Sequence, residues 1–410
     1  MKPGVSPSQR RAIALFANFF FIILAYYQVK AASRSLLIEY GGSGALPYAW
    51  VYSALTLVGV ISAYHVIVER YERVRVVLGS LLVFATLLVL FRTVFTPDDL
   101  VSATAFYVFV DIFSVVLVEQ FWSLTDSVSS TEEGRRSFWF VGTGGLVGGV
   151  CGGLLASALV SHTPLATPDL LYACALLLLV VWVFNLRLHR AGLYAEVHAA
   201  ARPASGDWRV LLSNRYLLLI ASLLCCSQLA QPVVEFQFLS MAEQAYPVLD
   251  ARTAFISQFF SVLGVASIAV NLVVTPVVHR VFGAIGGLTL QPVVLGACAL
   301  MFHQLPSLGM ASVMKIADRG LSYSVNRASK ELLYIPVDPV STYQAKAWID
   351  MVGYRLFKAL GSGMILLVIH WLPASLAAAR LSWLTLAVCA LWLLTVARIA
   401  HVYRAALARA

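Results

Sequence analysis

Residues 186–214 read LRLHRAGLYAEVHAAARPASGDWRVLLSN, a polar and basic interruption with Arg187, Arg190, Arg202 and Arg209 in a chain that is otherwise a succession of apolar runs. Upstream, windows of about 20 apolar residues, the length that crosses a bilayer as a helix, fall near 12–38, 48–68, 74–93, 101–127, 137–160 and 169–187. Downstream they recur near 216–240, 253–278, 284–303, 307–334, 346–371 and 380–402. The chain therefore reads as an all-α polytopic membrane protein with twelve transmembrane helices: an N-terminal six-helix half over 1–187, a linker over 188–214 and a C-terminal six-helix half over 215–410. The linker mixes Ala and Arg with a Leu/Val stripe, the pattern of an amphipathic helix on a membrane surface followed by a tether.

Composition agrees with that reading. The 410 residues are 60% hydrophobic and 12% charged, against about 25% charged in soluble chains. The net charge of +9 needs no nucleic-acid partner, because Arg70, Arg73, Arg75, Arg135 and Arg136 gather in short loops on the same side as the linker arginines. Positive loops face the cytoplasm, so both termini are expected there. Trp50, Trp371 and Trp383 then mark the outer interface. The first apolar run, behind Lys2, Arg10 and Arg11, is too long for a signal peptide and lacks a small-residue cleavage site, so it reads as a retained helix. Six cysteines, Cys151, Cys174, Cys225, Cys226, Cys298 and Cys389, lie in apolar segments without metal or redox spacing and read as small buried hydrophobes. Two six-helix halves joined by a longer cytoplasmic connection describe the major facilitator architecture, with its substrate site between the halves near the midplane.

Charge inside the spans points to function. Residues 314–363 read MKIADRGLSYSVNRASKELLYIPVDPVSTYQAKAWIDMVGYRLFKALGSG, with Lys315, Asp318, Arg319, Arg327, Lys330 and Glu331 before the helix-stopping Pro336, and Asp350, Arg355 and Lys358 after it. At roughly 2.5 to 3.5 kcal/mol per charge, Lys315, Asp318 and Arg319 would disfavour a lone lipid-facing helix by roughly 8 to 10 kcal/mol. They must face protein, water or ligand. In a regular helix Arg319 and Lys330 stand about 20° apart and Lys315 about 40° from Arg319, a cation face suited to a carboxylate or phosphate. The bland alternative is an internal lattice of ion pairs with Asp318, Glu331 and Asp350.

Other deep charges are few: Lys30 and Arg34 in the first span, Asp111, Glu119 and Asp126 in the fourth, and Glu235 in the seventh. Spans one, four, seven and ten line the cavity of a major facilitator fold and hold most of these charges, which favours a substrate path. Tyr26, Tyr27, Trp122, Phe236 and Tyr323 are candidates to stack on a planar ring. The run GTGGLVGGVCGG, residues 142–153, repeats glycine every four residues; without a following Lys and Ser/Thr it is a packing ridge and not a phosphate loop, and close packing of that kind suits a sliding contact between halves.

The motif KELLYIPVDPVSTYQAKAWIDMVGYRLFKALGSG, with LVEQFWS around Glu119, VVEFQF around Glu235 and Lys30 in the first span, resembles the nucleotide transporters that include the ATP:ADP antiporters of plastids and intracellular bacteria. The resemblance implies transport roles for Lys30, Glu119, Glu235 and Lys330. Around the first lysine the chain departs from that family's Arg-Asp-x-Lys-Asp pattern, reading Tyr27, Gln28, Val29, Lys30, Ala31.

The expected function is secondary active transport of an anionic, phosphorylated metabolite by alternating access, a nucleotide first; the alternative is a proton-coupled transporter of a bulky anionic or siderophore-like compound. Lys30, Arg34, Arg319, Lys330, Arg355 and Lys358 are the substrate-binding candidates, and Glu119, Asp126, Glu235 and Asp318 the coupling or gating ones, Glu119 and Glu235 either as proton carriers or as partners of Lys30 or Lys330. No enzyme is expected, since there is no H-E-x-x-H, no nucleophile elbow and no loop long enough for a catalytic domain. No catalytic residue, metal or cofactor is assigned. The expected partners are the substrate and the lipid bilayer, in a monomer of a bacterial inner membrane.

Overall fold

The computed structural model describes residues 7–94, 98–194, 214–334, 337, 345–346, 348–349, 353–372 and 374–407. These residues are helical almost throughout: α1 (Pro7–Gly41), α2 (Leu46–Arg70), α3 (Arg73–Thr93), α4 (Leu100–Val128), α5 (Thr131–His162) and α6 (Leu170–Arg190), then α7 (Arg215–Ala245), α8 (Leu249–Ala269), α9 (Thr275–Gln304), α10 (Leu308–Leu321), α11 (Arg327–Leu333), α12 (Tyr354–Trp371) and α13 (Ala374–Leu407). In lipid every backbone donor and acceptor must be satisfied internally, so apolar runs of this length fold as helices. Helix starts carry their own signals. Asp99 and Ser102 form a reciprocal cap at α4, and Ser130 and Glu133 form one at α5, each satisfying amides the first turn leaves unpaired.

Nine helical runs among the described residues are long and apolar enough to cross a membrane. One of them, Leu249–Gln304, has 56 residues, about 84 Å of helix at 1.5 Å per residue against a core of about 30 Å. It is broken at Gly283, whose φ of 64° and ψ of −168° are open to glycine and costly for any other residue. Two apolar windows near 253–278 and 284–303 flank that break.

The contacts divide the chain into two units. The first holds Met1–Gly42, Leu55–Ala201 and Tyr246–Gly264; the second holds Ser43–Ala54, Arg202–Ala245 and Val265–Ala410. In the first, α1 lies in the glycine ridge of α5. A Cβ on Gly144 or Gly148 would strike the backbone carbonyls of Phe16 or Phe20, and one on Gly152 would lie 2.9 Å from Leu24 O and 2.8 Å from Tyr27 Cβ. The ridge is thus a seat for α1, while its later part also meets α8: Gly153 lies against Ser257 and Ser261, and the Val150 carbonyl accepts from Ser261 Oγ at 2.8 Å. Phe19 stacks on Phe121 of α4 at 4.3 Å between centroids. At the end of α6, Asn18, Asn185 and Tyr194 close a buried polar triangle in which Tyr194 donates to Asn185 at 2.7 Å. The amphipathic helix expected in the linker falls on 195–213, outside the described residues, as do Pro336 and Asp350.

In the second unit α7 is the enclosed helix: 72% of its apolar window is buried, against 22% for 249–304. Two wide π turns, Val270–Val274 and Ser322–Asn326, pack against each other there. Of the interface tryptophans, Trp371 and Trp383 are exposed, but Trp50 is packed inside protein. Cys174, Cys226, Cys298 and Cys389 are buried, Cys151 and Cys225 are half-buried, and all six are free thiols.

Candidate functional site

Polar residues recur on α7 at Gln228, Gln231 and Glu235, spacings of three and four that place them on one face. That face meets Lys315, Asp318 and Arg319 of α10, themselves at i, i+3 and i+4. Lys315, whose side chain is 1% exposed, is ion-paired with Glu235, at 11%. Asp318, at 2%, has its Oδ2 3.9 Å from Arg319 Nε. Gln291 of α9 donates to Asp318 Oδ1 and to the Asp318 carbonyl, each at 3.2 Å. Arg319, at 18% the most exposed of the four charges, donates from Nη1 to the Tyr323 hydroxyl at 3.0 Å. The Gln231 amide, oriented so that both groups are satisfied, accepts from both Nη atoms of Arg319 and donates to Gln228 at 2.6 Å. Two acids and two bases make a formally neutral set. The bland lattice exists in part, in the facing of Asp318 and Arg319, but the tightest pair, Lys315 with Glu235, lies outside it; Lys315 holds the carboxylate that Lys30 or Lys330 was expected to engage.

Arg319 and Lys330 do not share one face. The π turn Ser322–Asn326 lies between them, and a π turn takes up about one extra residue, so the two stand about 80° apart instead of about 20°. Lys330 instead lines a small pocket with Ile220, Leu224, Glu331, Tyr334, Lys346 and Ile349. Within it Lys346 pairs with Glu331 and stands 4.7 Å over the Tyr334 ring. Arg355 and Lys358 are half-buried on α12, which seats Gly361 against the Leu229 carbonyl of α7.

In the first unit Lys30 Nζ stands 4.2 Å from the centroids of both Tyr27 and Phe260, and 5.6 Å from that of Tyr26. Arg34 donates to the Lys30 carbonyl at 2.7 Å and lies 5.6 Å from the Tyr107 ring. Two cations are thus set among aromatic faces, an arrangement each ring quadrupole favours. Glu119 and Asp126 are exposed on α4, within electrostatic reach of Tyr64 and Arg73 respectively. Of the aromatic candidates, Tyr26, Tyr27 and Tyr323 accompany these cations, whereas Phe236 is fully buried and Trp122 packs on Phe19, Phe121 and Phe138.

The sequence profile described as TLC ATP/ADP transporter matches residues 100–316 and 307–403. The chain belongs to that family. The transporter is 24% identical over 459 residues to ADP,ATP carrier protein 1 of Chlamydia muridarum, a match covering 92% of this chain and 87% of that carrier. ADP,ATP carrier protein 4 of Rickettsia conorii is 21% identical over 318 residues, covering 67% of this chain and 62% of its own length. Among solved structures, a POT family transporter, PepTSo, superposes with a TM-score of 0.70 at 11% identity, covering 96% of this chain and 98% of that one. An inward-facing bacterial homologue of the iron transporter ferroportin gives 0.66 at 15%, covering 95% and 98%. The transporter is thus a multi-pass membrane protein with the major facilitator fold, and its sequence relatives are carriers and not enzymes.

Several polar residues of the transporter carry no role in the sequence reading. Gln228, Gln231 and Gln291 are legible only as uncharged breaks in apolar runs, and their recurrence on one helix face is the signal that picks out the first two. Arg252 sits near a helix start, where charge is ordinary; yet it is 2% exposed, ion-paired with Glu39 and donating to the Ser35 carbonyl at 3.0 Å. Beside it Asp250 accepts from Thr167 N and Oγ1 at 2.8 and 2.6 Å.

Proposed function

We propose that the transporter moves adenine nucleotides across a bacterial inner membrane by alternating access between two six-helix halves, with twelve crossings and both termini in the cytoplasm. The observation that carries this is Arg319: a guanidinium in a membrane span, partly exposed, whose Nη atoms rest on a neutral amide and a hydroxyl. Those partners are exchangeable for phosphate oxygens, which make stronger, charge-assisted and bidentate bonds. Lys30 and Arg34, flanked by Tyr26, Tyr27 and Phe260, supply cations and rings suited to phosphate and base in the other unit. The loop arginines from Arg70 to Arg190 support the cytoplasmic assignment of the termini.

Uptake of labelled ATP and ADP into proteoliposomes, preloaded or empty, tests the reading. Saturable nucleotide uptake that Arg319→Ala abolishes while the protein stays folded is the expected result. Uptake of a siderophore or carboxylate with no response to any nucleotide overturns it.

A further inference from the structure

Around α10 two buried acceptors have no donor: Asp318 Oδ2 and Gln291 Oε1 lack a hydrogen-bond partner among the described residues. Arg319 Nε, at 3.9 Å from Oδ2, is within Coulomb range but outside hydrogen-bond range. A carboxylate oxygen that is buried and undonated is held by charge alone. Its counter-charge is Arg319, because the neighbouring ammonium, Lys315, is already engaged by Glu235.

We propose that Asp318 is a proton-binding site loaded by the substrate itself: when an anionic phosphate draws the Arg319 guanidinium away, Asp318 takes up a proton from solution, so nucleotide and proton bind together. This rests on Arg319 being a phosphate ligand, the reading given above. The charge count leads to it. With all four groups ionised the set is neutral; once Arg319 is neutralised by phosphate, Glu235, Lys315 and Asp318 are left with one uncompensated negative charge in a buried site, an expensive state that one proton on Oδ2 removes. The neutral carboxylic acid then has a hydroxyl to donate, and Gln291 Oε1 is an acceptor without a donor. The charged and titratable groups bearing on this carboxyl from the surrounding helices are Lys315 and Arg319 of α10, Glu235 of α7 and Cys389 of α13, with Tyr323 of the π turn Ser322–Asn326 and Tyr354 of α12 acting through Arg319. A metal cation in place of the proton is disfavoured, since a hard cation takes about six oxygen ligands and would lie within electrostatic reach of the Lys315 ammonium.

Proton uptake on binding requires affinity to fall as pH rises, by up to about tenfold per unit. The test is calorimetric titration of the purified, full-length transporter with ATP in buffers of differing ionisation enthalpy, at pH values where ATP is fully ionised, for wild type and Asp318→Asn. Wild type is expected to take up close to one proton more per ATP than Asp318→Asn, and the wild-type dissociation constant to weaken with pH. The wild-type pH slope stands even if the variant folds poorly. ATP binding with no proton uptake, or with the same uptake in both proteins, overturns the proposal and leaves the nucleotide reading intact. No ATP binding at all overturns both, and a requirement for sodium at constant pH overturns the proton assignment.

Discussion

Glu235→Gln keeps the shape of the side chain and removes the charge that Lys315 faces. Lys315 is 1% exposed, so water cannot replace the lost partner, and breaking a buried pair from one side costs about 3–5 kcal/mol. Asp318 remains within electrostatic reach of Lys315, which places the expected loss near the lower end, about 3 kcal/mol. Lys315→Met is expected to cost less, because Glu235 is 11% exposed and Arg319 bears on it. Combining the two leaves Asp318 facing Arg319, again a neutral set, and replacing a whole buried pair by neutral groups of similar volume is often near neutral. The double variant should therefore recover most of the loss, a coupling of about 2 kcal/mol or more. Unfolding midpoints of the four purified proteins in one detergent measure this. Losses that simply add would refute the reasoning, since they would mean that the two side chains do not share a buried charge.

Lys30→Ala and Lys330→Ala should each abolish nucleotide uptake while leaving expression and monodisperse elution near wild type, and charge reversal should hurt more than neutralisation. Gly148→Leu should destabilise the first unit by about 3 kcal/mol or more, because the side chain must enter the Phe20 backbone and overpacking alone costs about 1–3 kcal/mol; Gly142→Ala, with nothing within 4 Å, should be silent in the same thermal-shift assay. Glu119→Gln, at an exposed site, should leave stability within about 0.5 kcal/mol, and comparing pH-driven accumulation with counterflow in proteoliposomes reads whether that carboxyl carries coupling or gating. Single cysteines at Arg73 and Arg135 should react with an impermeant reagent only from the cytoplasm, and one at Gly44, where a side chain meets nothing within 4 Å, only from outside; labelling of both sets from one side would contradict the topology.

The helical layout was legible because lipid leaves the backbone so few options: hydropathy alone marks the runs, and the glycine spacing of 142–153 marks a packing ridge, though not that its partner is α1, where a contact between halves is the sequence expectation. Lys315, Asp318 and Arg319 were legible as internal charges by their cost in hydrocarbon. Their pairing was not, since Glu235 lies 80 positions from Lys315 and only packing brings α7 to α10. The shared face of Arg319 and Lys330 failed for a local reason: a helical wheel assumes 3.6 residues per turn, and nothing in SYSVN announces a wider one. Arg252 and the buried glutamines escaped because a single polar residue near a helix end or within a span has many ordinary explanations until its neighbours are known.

The paired π turns carry a further implication. A wide turn is a surplus residue stored inside a helix, and the stretches on either side keep the alignment they would have without it. Losing one residue from 322–326 would therefore be absorbed, whereas losing one elsewhere in the span would swing everything beyond it by about 100°. The surplus can also travel: as it passes a position, that side chain changes the direction it points while the helix ends stay where they are. In Ser322–Asn326 the residues open to such re-aiming include Tyr323, the hydroxyl against which Arg319 rests. A helix built this way can offer its guanidinium a different neighbour without moving as a body.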